Sequence, residues 1–321
     1  MPAAPRPNFF IIGAMKCGTS SLHAYLGTHP AIFMPSRKEP SHFVDPEALR
    51  TLAPTLAARG YWQIEKYLEL FRYAGDAAVI GESSTNYSKL PHAPGVPQRI
   101  RAFNPDARFI YLMRDPLRRT ISHYWQLVRG DLERRDMLTA FREDSQYLDV
   151  SNYAMQLRPY LELFGPERMK TVLTEELRAD PRGTIQDIFR WLGVDPGFAP
   201  PNLDQRKYVT PKRFEDARTV PLLRSFRQSR LWLALAPAVP SALKSAVRRY
   251  LYWRRPVEIP ASPPAEVVDY LRPILIAQTE ELCRLLERDF PLWTTLYATK
   301  ARAAVGRQDG QVSERWSSAG G

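Results

Sequence analysis

Gly13-Ala14-Met15-Lys16-Cys17-Gly18-Thr19-Ser20-Ser21 gathers two glycines, a lysine and three hydroxyls into nine residues. Where such a loop joins a strand to a helix, the free N–H groups of the first turn and the helix dipole make an anion site. Gly18 lets the main chain approach an oxygen closely, Lys16 adds a point charge, and Thr19, Ser20 and Ser21 add donors beside Cys17. The chemistry that suits this loop is phosphate binding. The motif is not a Walker A, which reads GxxxxGK[ST], because Lys16 stands two residues before the second glycine. Its side chain therefore projects from the loop, toward whatever lies beyond the terminal phosphate. A tight turn with a solvated lysine is the bland alternative.

A second segment, Arg114-Asp115-Pro116-Leu117-Arg118-Arg119-Thr120-Ile121-Ser122-His123-Tyr124, follows another apolar run and reads as a helix with Pro116 in its first turn. Arg119 and Ser122 are three apart and neighbours on that helix, while Arg114 reaches in from the strand end. A guanidinium and a hydroxyl converging on one point suit a second phosphate, remote from the first. The competing reading pairs Arg114 with Asp115 or Glu82.

The elements that must position these groups are short apolar runs alternating with helical patterns. Asn8 to Ile12, Ala77 to Ile80, Arg108 to Met113 and Met169 to Thr174 read as strands. Val96 to Asn104, Leu117 to Arg129, Tyr153 to Phe164 and Arg182 to Leu192 read as helices, and Ala265 to Arg288 as a last long helix with a kink at Pro273. In the first helix Thr19, Ser20 and Ser21 are the expected cap hydroxyls. Alternation of this kind predicts an α/β fold with a central parallel sheet covered by helices on both faces. Ligands then sit beyond the carboxyl ends of the strands, so the residues after each strand, Glu82 among them, are where chemistry is expected. Glu175, Glu176, Asp180 and Pro181 read as structural, as a helix start and its favoured carboxylates.

Composition narrows the class. The 321 residues are 44% hydrophobic and 25% charged, which is ordinary for a globular chain and excludes disorder, collagen and coiled coil. No apolar run is long enough to span a bilayer, and the N-terminus lacks the features of a signal peptide, so a cytoplasmic protein is expected. The two cysteines, Cys17 and Cys283, make neither a disulfide framework nor a metal site. The net charge of +11 is matched by the local excess in Arg206 to Arg255, with thirteen Lys/Arg against two acids. One basic surface beside a site fits this better than nucleic-acid binding.

These two segments, with Arg37-Lys38-Glu39-Pro40-Ser41-His42-Phe43 and Gly81-Glu82-Ser83-Ser84-Thr85-Asn86-Tyr87, closely resemble the sulfotransferases that use 3'-phosphoadenosine 5'-phosphosulfate (PAPS). The branch they resemble is that of the Golgi heparan-sulfate enzymes and their bacterial relatives. The resemblance covers roughly Phe9 to Leu192, the closing helix and Asp289 to Trp293. It implies a P-loop-like α/β fold; the residues themselves predict one domain over 1–299, with a basic helical insert at about 211–258, and a small, polar, disordered tail over 300–321. It further implies that the first loop takes the 5'-phosphosulfate, with Lys16 on the bridging or sulfuryl oxygens, and that Arg114 and Ser122 take the 3'-phosphate. Glu82 would be the base that deprotonates the acceptor, with His123 and His42 as rivals. Tyr153, Arg206, Lys207, Lys212 and Arg213 are further cofactor-side candidates, and Lys38 and His42 acceptor-side ones. The product would be adenosine 3',5'-bisphosphate (PAP), with no metal required.

The acceptor implied is a small molecule, a glycan or a lipid-linked compound. Residues 214–255, with their tryptophans and arginines, could lie on an anionic membrane, line the acceptor pocket, or pack on the core. Ser83 departs from the lysine common in heparan-sulfate members, and Asn152 from the glycine that often precedes the tyrosine. A P-loop kinase-like phosphotransferase and a non-catalytic anion- or membrane-binding module are the alternative functions.

Overall fold

Each of the four expected apolar runs forms a strand in the computed structural model of the protein, which describes residues 5–201, 203, 213–219 and 252–298. The strands are β1 (Phe9–Gly13), β2 (Ile32–Phe33), β3 (Val79–Ser83), β4 (Arg108–Met113) and β5 (Met169–Leu173). They form one sheet in the order β2-β3-β1-β4-β5, with every pairing parallel. β2 spans only two residues, too few to leave a periodic trace in the sequence. β1 is buried along its whole length, as a central parallel strand covered on both faces must be.

The main helices are α1 (Thr19–Leu26), α2 (Val96–Phe103), α3 (Pro116–Arg129), α4 (Tyr153–Phe164), α5 (Pro181–Leu192) and α6 (Ala265–Leu286). Their bounds follow the apolar spacing closely, and α6 runs through Pro273. Asp180 and Pro181 do start α5, where the Asp180 carboxylate accepts from Gly183 N–H at 2.8 Å. Short helices at Pro46–Leu52, Pro54–Ala57 and Ile64–Leu68 fill the span between β2 and β3.

Three expectations are corrected. The cap of α1 is Gly18, in the left-handed region at φ 96°, and no side-chain hydroxyl caps that helix. β3 continues through Glu82 to Ser83, so Glu82 is a strand residue and not a strand-end one. The basic insert is not helical at its ends: Arg213–Thr219 (β6) and Tyr252–Glu258 (β7) form an antiparallel pair. The rest of that insert, the candidates Arg206, Lys207 and Lys212, and the tail 300–321 lie outside the described residues.

One side chain fastens the C-terminal segment to the sheet. The buried Asp115 carboxylate caps α3 by accepting from Leu117 N–H and Arg118 N–H at 3.0 and 3.2 Å. Its other oxygen accepts from Thr295 N–H and Leu296 N–H, both at 3.0 Å. It pairs with no arginine among the described residues, so that reading of Arg114 fails. Asp115→Ala leaves four N–H groups without their acceptor and should cost about 3 kcal/mol of stability. Equilibrium denaturation reads this loss, and a midpoint equal to that of the wild type would refute the anchoring role.

Candidate active site

The strand order reverses at β1, the topology at which open parallel sheets take ligands beyond the carboxyl ends of their strands, here β1 and β4. Two sets of donors lie at those ends. In the loop after β1, the N–H groups of Lys16, Gly18, Thr19 and Ser20 find no acceptor among the described residues, while Cys17 N–H and Ser21 N–H are satisfied by Ala14 and Gly18 carbonyls. Gly13 is required where this loop begins, because a Cβ there would lie 2.2 Å from Ser88 Oγ and 2.5 Å from the Tyr111 ring.

Lys16 is half-buried and left-handed at φ 72°. Its pKa is lowered to about 8, by burial first and then by the charges of Arg129, Arg114 and Arg119. A conformation rarely adopted by residues with a side chain, held amid cations with no carboxylate partner among the described residues, is strain of the kind that collects at functional sites. Cys17 is corrected as a ligand-facing residue. Its thiol is fully buried on Met15 C=O and the Tyr153 hydroxyl, and its own carbonyl accepts from Thr174 Oγ1 at 2.7 Å.

The second set lies after β4. Arg114 Nε and Ser122 Oγ are buried and without a hydrogen-bond partner among the described residues. A native interior leaves few such groups, because each costs about 1–3 kcal/mol when unpaired. Tyr153 does not join this set with its hydroxyl, which donates to Arg114 C=O at 2.8 Å. It braces the Arg114 main chain against the Cys17 loop and packs on Trp293. Asn152, unexpected before this tyrosine, caps α4 by accepting from Met155 N–H. Arg119 is a brace as well, donating to Ser151 Oγ and Tyr147 C=O from a fully buried position.

On the β3 side the expected base is displaced. Glu82 is 0% exposed, and its carboxylate accepts from the Tyr67 hydroxyl and, at 2.7 Å, from Ser84 Oγ. Burial pushes its pKa up to about 7 against these hydrogen bonds. It points with Phe10, its register partner, into a layer of Phe43, Tyr67 and Tyr87. His42 stacks on Tyr67, ring centroids 4.1 Å apart, and is tied to Tyr61 C=O, so it too belongs to this layer. His123 is buried among Arg119, Lys89 and Lys16, and burial followed by these cations holds its pKa well below the usual histidine value. Both histidines are poor rival bases.

The carboxylate that lies at the end of β3 is Glu39. It is left-handed at φ 56°, its N–H donates to Ser83 C=O, and one oxygen accepts from Thr85 N–H at 2.8 Å. Burial raises its pKa, opposed by Lys38, Thr85 and Lys89. Lys38 reaches across to α1, where Nζ donates to Ser20 Oγ at 2.9 Å, and is no solvated surface lysine. The fold thus joins Lys16 and Ser20 on one side to Lys38 and Glu39 on the other. Sequence reasoning passed over Glu39 although it stands in the same motif as Lys38 and His42. The signal was Pro40, which bars ordinary helical geometry from the residue before it. Ser83, in place of a lysine, hydrogen-bonds His23 Nδ1 at 2.8 Å.

A five-stranded parallel sheet with helices packed on it defines the class of α/β proteins. Within that class, residues 7–199 match the Sulfotransferase family, and the chain belongs to it. Over 197 residues it is 30% identical to heparan sulfate glucosamine 3-O-sulfotransferase 3A1 of Mus musculus, covering 59% of this chain and 46% of the relative. Carbohydrate sulfotransferase 15 of Homo sapiens is 24% identical over 248 residues, covering 59% of this chain and 44% of its own. The chain spans less than half the length of these curated relatives. A sulfotransferase from Alicyclobacillus acidocaldarius has the same fold, with a TM-score of 0.65 and 26% identity over 90% of this chain and 99% of that one. Among the described residues no cluster of His, Cys, Asp or Glu could hold a metal ion, and no helix is long and apolar enough to cross a membrane.

Proposed function

We propose that the protein transfers a sulfuryl group from PAPS to a hydroxyl or amine of a carbohydrate-type acceptor. The observation that carries this reading is the pair of unpartnered donor sets: the N–H groups of the Lys16 loop, and Arg114 Nε with Ser122 Oγ. A nucleotide with anions at both its 5' and 3' positions matches two such sets; a nucleoside monophosphate matches one.

The residues fit PAPS. The N–H groups of Lys16, Gly18, Thr19 and Ser20 would hold its 5'-phosphosulfate and Arg114 and Ser122 its 3'-phosphate. When bound, PAPS supplies the activated sulfuryl group. Sulfuryl transfer, like phosphoryl transfer, passes through a loose in-line transition state, so positioned charge carries most of the catalysis. Lys16 would neutralise the charge that develops on the leaving phosphate. Glu39 would take the acceptor proton at Oε1, the oxygen less engaged by Thr85. Glu82 serves beneath it as a buried strut. The named relatives act on heparan sulfate glucosamine and carbohydrate, which favours a sugar hydroxyl as acceptor.

Calorimetry tests the donor. PAP should bind at least about tenfold more tightly than adenosine 5'-phosphate, the usual gain from one added charge-assisted contact pair. Arg114→Ala should weaken PAP by roughly 10- to 100-fold and leave adenosine 5'-phosphate nearly unchanged. Binding of ATP with magnesium as tight as that of PAP would replace this reading with the phosphotransferase one.

A further inference from the structure

His23 lies on α1, the helix that follows the donor loop, and the transfer as described above does not use it. Each of its ring nitrogens has a partner. Nε2 lies 3.1 Å from Pro35 C=O, and Nδ1 lies 2.8 Å from Ser83 Oγ. A carbonyl can only accept, so the ring carries a proton on Nε2 and donates it to Pro35. Burial first, and the Lys38 charge second, lower the His23 pKa to about 4, so at neutral pH Nδ1 keeps its lone pair and Ser83 Oγ donates to it. Ser83 is 1% exposed, which shields the contact from water.

These two bonds close a ring of contacts between the donor side and the proton acceptor. Ser20 and His23 are three apart on α1 and share one face of it. Ser20 accepts from Lys38 Nζ at 2.9 Å while His23 holds Pro35, so the segment that leads from β2 to Glu39 is tied to α1 at both ends. Ser83, the last residue of β3, is bonded on two sides. Its hydroxyl reaches His23, and its carbonyl accepts from Glu39 N–H at 2.9 Å. The path runs from α1 through His23 to Ser83, on to the Glu39 main chain, and back through Lys38 to Ser20.

We infer that His23, with Ser83, is a positioning residue of the transfer: it clasps the Glu39 segment to the helix of the donor loop and so fixes the proton acceptor against the donor. This rests on the reading of Glu39 as the proton acceptor. Glu39 stands in the loop after β2, a strand of two residues, so side-chain bonds must supply the rigidity that a longer element would give. Its left-handed main chain persists only where the surroundings impose it, and the Ser83 carbonyl and the tied segment do so. Group transfer gains its rate from held geometry, and a misplacement of about 1 Å can cost about 10²-fold.

The test replaces His23 by phenylalanine, which keeps a ring and removes both bonds. His23→Phe should lower kcat roughly 10- to 100-fold, with PAP affinity by calorimetry unchanged, since the loop N–H groups and Arg114 are untouched. His23→Gln offers an amide that can donate to Pro35 and accept from Ser83, and should recover most of the loss. In a Glu39→Gln background His23→Phe should cost no further rate, because a positioning residue acts only through the group it positions. A wild-type kcat in His23→Phe overturns the inference. So does a loss that multiplies with that of Glu39→Gln, or one that falls on PAP affinity as heavily as on kcat, either of which would mark His23 as structural. If His23→Phe does not fold, Ser83→Ala, which removes one of the two bonds, carries the same comparison. The two levels separate: absent PAP binding in wild type, or full turnover in Glu39→Gln, would sink the proposed function, whereas full turnover in His23→Phe beside a disabled Glu39→Gln sinks this inference alone.

Discussion

Glu39→Gln should lower kcat by roughly 10²- to 10⁴-fold, the scale of losing a general base, with PAP affinity unchanged. Glutamine keeps the length and can still accept from Thr85 N–H, so it removes the proton acceptor and little else. Glu82→Gln is the paired experiment. Its carboxylate is sealed beneath Tyr67 and Ser84, so the substitution should disturb stability more than rate. Turnover is read as PAP release in the presence of an accepted hydroxyl compound. If the folded Glu82 variant is dead and the Glu39 variant active, the roles assigned here are reversed and the expectation drawn from sequence stands.

Lys16→Ala should lower kcat by roughly 10²-fold or more, because it removes a charge aimed at the leaving phosphate. The effect belongs in kcat rather than in PAP affinity, since the loop N–H groups and Arg114 remain. Its lowered pKa also sets a direction with pH. A lysine is charged below its pKa, so as pH rises through about 8 the free enzyme loses the Lys16 charge and kcat/KM should fall. A kcat for Lys16→Ala equal to that of wild type would remove this residue from the mechanism.

The local part of the site was legible because it depends on near neighbours in the chain. A glycine loop between an apolar strand and a helix start leaves free main-chain N–H groups, and Lys16 and Gly18 lie between β1 and α1 while Arg114 follows β4 and Ser122 lies on α3, as the spacing implied. The parallel sheet was legible for a similar reason: strands buried on both faces must be continuously apolar, as Phe9 to Ile12 and Phe109 to Met113 are. Thr19, Ser20 and Ser21 show the limit even here. They have the chemistry of cap residues, yet Gly18 takes the left-handed cap position, and Ser20 instead accepts from Lys38.

What the chain order could not reveal is which way a side chain faces and what reaches it from elsewhere. Side chains alternate across a sheet, so extending β3 by a few residues turned Glu82 toward Phe10 and the aromatic layer. Tyr153 and Cys17, 136 residues apart, meet through a hydroxyl and a thiol and so stay out of the donor sets. Glu39 and Thr85 meet only because the Glu39 main chain is tied to Ser83 at the end of β3, where the next turn begins. By itself the sequence determined the fold class and the donor loop, whose physics is local. The tertiary structure decided the surroundings of Glu39 and Glu82, because burial and long-range charge, which set their proton affinities, exist only once the sheet has assembled.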